Sequence, residues 1–224
     1  MKNGLALFLG VFAVIAASWA GVLLASHQQL GGLNRVKDPT DDALYPQRIS
    51  GLADEGRMVY QDLGCATCHT QQVRHAGFGS DIARKWGQRA SYARDYIRDK
   101  TVFLGQSRMG PDLRNVGVRL GDTTSPEDYG DYFYKILYAP ESVASGNMPS
   151  YKFLFDTHTT RDRQPSYQAL QLTGKFAPAA GYEVVPSYRA RALVAYLESL
   201  KDTYDYPIER SLNAPADNAK EEGH

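Results

Sequence analysis

Apolar residues are spread unevenly along this 224-residue chain. The run G-L-A-L-F-L-G-V-F-A-V-I-A-A-S-W-A-G-V-L-L-A-S, Gly4 to Ser26, contains no charged residue. As a helix it is about 35 Å long, enough to cross a hydrocarbon core of about 30 Å. A secretory signal would offer Lys2 as its basic end and Ser18-Trp19-Ala20 as its cleavage site. The apolar run, however, continues through Val22, Leu23 and Leu24, past that site and past a typical apolar stretch of about 7–15 residues. The pattern predicts a retained membrane anchor over residues 1–27.

Beyond the anchor the pattern changes from continuous to periodic. Residues 28–49 are rich in Gly, Asp and Pro without apolar periodicity, as in a linker or a surface strap. Ser50 is then placed to cap a helix running to Leu63, with Leu52, Gly56, Val59, Tyr60 and Leu63 on its buried face. Gly56 on that face predicts a close approach by a second helix. The strongest amphipathic match is far downstream, R-A-R-A-L-V-A-Y-L-E-S-L-K (Arg189 to Lys201), with Leu193, Tyr196, Leu197 and Leu200 on one side. Shorter helices are predicted over Ser91 to Asp99 and Glu127 to Tyr138, the latter with Tyr129, Phe133, Ile136 and Leu137 inward. Residues 50–205 thus form one domain, followed by a flexible tail over 206–224 that is small and polar from Asn213.

Charge adds little. Lys plus Arg number 25 and Asp plus Glu number 25, which gives no electrostatic argument for nucleic-acid binding. Cysteine changes the picture. Cys65, Ala66, Thr67, Cys68 and His69 read C-x-x-C-H, the attachment signature of a c-type haem. Two thiols three positions apart on one turn can each bond a vinyl group of one porphyrin, and the next residue can present an imidazole to the iron. A zinc site would need more ligands, yet these are the only two cysteines. A thioredoxin-like motif would lie in a βαβ pattern, which is missing here. The sequence therefore predicts one covalent haem c, with His69 as proximal iron ligand. Such haems are attached outside the cytoplasm, so the domain after the anchor is expected to face the periplasm of a bacterial inner membrane.

A second axial ligand is expected, and methionine raises the potential. The candidates are Met109 and Met148. In class I cytochromes c, which this chain resembles in its G-P-D-L segment (Gly110 to Leu113), the proline carbonyl receives the proton of the proximal histidine. That resemblance puts Pro111 on the His69 side. It leaves Met148, stiffened by Pro149, for the opposite side, and Met109 as a packing residue. Small c-type cytochromes also cross their first and last helices at a glycine–aromatic contact, which Gly56, Tyr60, Leu193 and Tyr196 resemble.

Taken together, C-H-T-Q-Q-V-R (Cys68 to Arg74), R-K-W-G (Arg84 to Gly87), G-P-D-L-R-N-V-G-V-R-L (Gly110 to Leu120) and E-S-V-A-S-G-N-M-P-S-Y (Glu141 to Tyr151) follow the anchor in this order. The chain thereby resembles the membrane-anchored mono-haem cytochrome c subunit, subunit II, of cbb3-type oxidases. It departs from that pattern in the stretch 151–188 before the last helix and in Thr101 to Arg108, which lacks the family's His-Pro and Trp. The resemblance implies a mostly α fold: one transmembrane helix plus a class I cytochrome c-like helical domain with a long insertion over 151–188. It implies electron relay from a periplasmic donor, which a soluble cytochrome c could be, to the catalytic haem-copper oxidase subunit, beside another c-type cytochrome subunit. It also places Arg74 and Arg119 near the haem propionates, where a guanidinium can bind a carboxylate bidentately. The insertion carries Tyr151, Phe153, Leu154, Phe155, Tyr167, Leu170, Leu172 and Phe176 without helical periodicity, so it is expected to dock partly on its own domain and partly on a neighbouring subunit. The competing readings are the cytochrome c subunit of a nitric oxide reductase and a haem-based gas sensor with a displaceable methionine.

Overall fold

The computed structural model describes residues 3–49, 51–119, 129–144, 146–162, 164–204 and 206. These divide into two compact units. The first comprises 1–46, 92–99 and the chain from 206; the second comprises 47–91 and 100–205.

In the first unit the apolar run forms helix α1, Gly4–Leu30, none of it buried by protein. Its backbone widens to a π-helical turn over Ala20–Leu24. Such length and apolarity suit a membrane span. The linker is more ordered than its composition suggests. Strands β1 (Val36–Lys37) and β2 (Leu44–Tyr45) pair antiparallel, and the Asp38 carboxylate caps the turn by accepting from the Thr40 amide at 2.8 Å. The helix expected over Ser91 to Asp99 is a 3-10 turn, Ala93–Tyr96. Arg94 from that turn donates to the Asn34 carbonyl and stacks over the Tyr206 ring at 5.7 Å. Tyr206 is fully buried, so the chain is still packed at the first position assigned to the tail.

In the second unit α2 spans Leu52–Asp62. Ser50, the expected cap, lies outside the described residues, and Gly51 occupies the capping position at φ 59°. Helix α3 spans Tyr129–Tyr138 and α4 spans Tyr188–Ser199. A serine caps α4: the Ser187 side chain accepts from the Ala190 amide. The predicted crossing of α2 and α4 is present and has no slack. A Cβ on Gly56 would lie 1.8 Å from the Ala192 carbonyl oxygen and 2.8 Å from the Tyr196 Cβ. Beside it the Tyr60 and Tyr196 rings meet edge to face, with centroids 5.4 Å apart. A second close approach went unpredicted: a Cβ on Gly117 would lie 2.3 Å from the Glu198 carbonyl oxygen. Phe133 and Leu137 of α3 complete the core with Leu193 and Leu197 of α4.

The stretch 151–188 is not aperiodic chain. It contains strands β3, Phe155–Thr159, and β4, Tyr182–Pro186, paired antiparallel with Phe155 opposite Pro186 and Thr159 opposite Tyr182. Leu154, Phe155, Leu170 and Val184 are buried in the same core as α4. The Leu170 amide donates to the Val184 carbonyl at 2.9 Å, which binds the intervening chain to the sheet edge. Phe155 meets the Tyr138 ring of α3 with centroids 5.2 Å apart. Much of the apolar surface credited to docking is therefore spent on the chain's own core, while Phe153 and Tyr167 remain exposed.

Candidate haem site

The C-terminal end of α2 sets up the site. Gly64, in left-handed backbone at φ 68°, turns the chain out of the helix, a conformation glycine adopts without steric penalty. A 3-10 turn follows over Cys65–Thr67, and the His69 amide closes it by donating to the Cys65 carbonyl at 3.0 Å. Cys65, Cys68 and His69 thus share one turn. Both cysteines are unpaired and half-buried. Burial pushes the Cys65 thiol up to about 11, so the sulfur is neutral at physiological pH, as a thioether would be.

The motif is fastened along its length to the segment 104–113. The carbonyls of Ala66, Cys68 and Thr70 accept from the amides of Gln106, Gly110 and Leu113 at 2.9, 2.9 and 2.7 Å. The Thr67 carbonyl accepts from the Ser107 hydroxyl at 2.6 Å. Gly110 lies flat on the imidazole: a Cβ there would stand 2.2 Å from His69 Cε1. The Pro111 carbonyl oxygen lies 2.8 Å from His69 Nδ1. A carbonyl can only accept, so Nδ1 carries the proton and Nε2 keeps its lone pair. Burial lowers the histidine pKa against the opposing pull of the Pro111 carbonyl, which favours the neutral ring.

A residue that sequence reasoning passed over organises this junction. Asp112 is 0% exposed. One carboxylate oxygen accepts from the Thr70 hydroxyl at 2.6 Å and the Gln72 amide at 2.7 Å, and the other from the Arg114 amide at 2.9 Å. It ties both flanks of the site together from beneath. A signal was available, since an acid next to Pro111 and a hydroxyl next to His69 are both printed in the sequence, but only their pairing explains them.

The two arginines have separate fates. Arg119 donates to the Asp112 carbonyl oxygen at 2.6 Å, and burial lowers its pKa. Among the described residues no carboxylate pairs with it. Arg74 instead binds Asp81, through its amide at 2.9 Å and its guanidinium at 2.9 Å. Arg108 reaches the same carboxylate at 2.6 Å. Burial would raise the Asp81 pKa, but the hydrogen bonds from Arg74 and Arg108 outweigh it and hold the carboxyl well below the usual range.

Met148 is half-buried and packs on the core that also touches Cys65 and Ala66. Three residues on, the Tyr151 hydroxyl has its pKa raised by burial and, in the same sense, by the nearby Cys65 and Cys68 thiols. Met148 and Tyr151 thus pack on the same core as Cys65 and Ala66. Met109 does not pack as expected; it is 80% exposed.

These residues suit a haem. Two unpaired thiols and an oriented imidazole share one turn, and among the described residues no group of three or more His, Cys, Asp or Glu could hold a bare metal ion instead. The family profile described as cytochrome c oxidase, mono-haem subunit/FixO matches residues 6–182. This chain belongs to the FixO family. It is thus a mono-haem subunit of a cbb3-type cytochrome c oxidase, a membrane complex in which such a subunit carries electrons. The match runs to Tyr182 and takes in most of the stretch 151–188, which the sequence alone had set apart from the family. No curated protein matches the chain significantly.

Proposed function

We propose that this FixO-family chain binds one haem c covalently through Cys65 and Cys68. His69 and Met148 are its iron ligands, and the chain relays electrons from a periplasmic donor to the catalytic haem-copper subunit. The observation that carries this reading is the 2.8 Å contact between His69 Nδ1 and the Pro111 carbonyl. It leaves Nε2 aimed away as a donor, on the same turn as two thiols free to form thioethers. Haem, when bound, supplies one-electron redox chemistry at iron. The chain supplies the rest. Gly110 and Pro111 fix the plane of the imidazole; Met148 packs on the core that Cys65 and Ala66 touch, which supports it as the second ligand; Arg119 offers a half-buried guanidinium to a propionate. Arg74, bound to Asp81 and 41% exposed, keeps part of its fork for a second acceptor. The same reading sets α1 across a bacterial inner membrane once, with the haem domain on the periplasmic face.

Haem that survives acid–acetone extraction and migrates with the polypeptide in a denaturing gel is the expected result, lost in Cys65→Ser/Cys68→Ser. Extractable haem in the wild-type chain would overturn covalent attachment. Failure of the reduced isolated chain to bind carbon monoxide is expected for a closed iron and would dispose of the gas-sensor reading.

A further inference from the structure

One face beside the motif is strongly cationic and held by main-chain hydrogen bonds. The chain from 80 to 86 turns tightly on Asp81: the Arg84 amide donates to the Ser80 carbonyl, Lys85 to Ile82 and Trp86 to Asp81, each at 2.9 Å. Lys85 is held in left-handed backbone at φ 58°. The Arg84 guanidinium lies over the Trp86 ring at 5.1 Å, and Arg108 lies over the same ring at 5.7 Å. Arg74 and Arg108 share Asp81, so that buried carboxylate is doubly neutralised, and Arg84 and Lys85 follow on the turn that the Asp81 carbonyl closes. Arg84 and Lys85 form no ion pair among the described residues, and both are exposed.

Two large apolar groups complete the face. Phe78 is 82% exposed, and the adjoining Gly79 lies against the Arg74 guanidinium, where a Cβ would come within 2.5 Å of it. Met109 is equally exposed, follows Arg108, and precedes the glycine that rests on His69. The face therefore combines exposed apolar points with a cationic surround, and sits one residue from the proposed iron ligand's imidazole. Protein interfaces share this anatomy of apolar anchors within a polar rim. Cations already fixed by main-chain bonds and ring stacking lose little freedom on binding.

We propose that this face docks an acidic redox protein, which exchanges its electron with the haem through the Met109–Gly110–His69 side. The partner's matching surface carries carboxylates around an apolar spot, and attraction between the two steers the encounter. This inference rests on the haem reading above, and its test keeps the two apart.

The first arm needs no haem. The detergent-solubilised full chain is passed over immobilised poly-L-glutamate; Arg84→Glu/Lys85→Glu is expected to elute at lower salt than wild type, with Arg84→Gln/Lys85→Gln between them. The second arm follows oxidation of the reduced chain by hexacyanoferrate(III) and by tris(phenanthroline)cobalt(III), which are opposite in charge. One electron leaves the haem iron and reduces the reagent to iron(II) or cobalt(II), with no bond made or broken. In the double Glu variant the anionic reagent is expected to react about tenfold more slowly at low ionic strength and the cationic one faster. Both differences should close at about 0.5 M salt, where the screening length is about 4 Å. Unchanged rates with a normal c-type spectrum would overturn the proposal while leaving the haem reading intact. Unchanged elution would also overturn it. Loss of the catalytic subunit from the purified complex of the double variant would assign the face to assembly instead, and equally overturn it. A wild-type chain without a c-type spectrum would sink the haem reading, and with it the redox half of the proposal.

Discussion

Met148 and Met109 differ by more than position. Met109 directly precedes the glycine that bears on the His69 ring and is exposed, whereas Met148 is half-buried against the core that Cys65 and Ala66 also touch. Met148→Ala should abolish the weak far-red sulfur-to-iron band of the oxidised chain, and Met109→Ala should leave it; the reverse result would reassign the ligand. Asp112 makes a second residue-scale case. Asp112→Asn puts an amide NH2 where one or two N–H and O–H donors converge, so at least one contact must become donor against donor. A loss of about 1–3 kcal/mol is expected in denaturant titration, partly reproduced by Thr70→Val. Asp81 answers to pH. Its folded pKa lies below the ordinary value of 3.8, so its stabilisation is fully present above that value and is lost as pH falls through the folded one. Melting temperature should therefore decline below about pH 4 with a slope that Asp81→Asn flattens, while lowering stability at neutral pH.

Helices and strands were not equally legible. The anchor, α2 and α4 announced themselves because each buries or presents a single continuous apolar pattern, and Gly56 betrayed the crossing because only a missing side chain admits a second backbone. Gly56→Ala should destabilise the domain by about 1–3 kcal/mol or more, since its Cβ would meet the Ala192 carbonyl, which cannot rotate away. Leu193→Ala, at the same crossing, should cost about 2–5 kcal/mol by leaving a cavity. The sheet was illegible for a physical reason. Strands of five residues, separated by residues 160–181, pair through contacts that no local turn signals, and the mixed burial of F-D-T-H-T resembles loop. The site shows the same division. C-x-x-C-H and G-P-D-L could be read because their chemistry is local. Asp112 with Thr70, and Asp81 with Arg74 and Arg108, could not, because each exists only when segments distant in sequence meet.

At the scale of the whole molecule, α1 exposes its uncharged apolar run, Gly4 to Ser26, and none of that span is buried by the described residues. The protein should stay with membranes through high-salt and alkaline washing, with the apolar run retained at the mature N-terminus; a soluble form beginning near Gly21 would show cleavage instead. The crossing of α2 and α4 has a further consequence, for the order of events as the chain is made. α2 and the adjoining Cys65–His69 turn leave the ribosome long before Tyr188–Ser199, and until α4 arrives the glycine face of α2 has nothing to pack on. A helix of 11 residues is marginal alone. In the nascent chain the thiols of Cys65 and Cys68 thus sit on a loose peptide, and only the arrival of α4 closes the packing behind them.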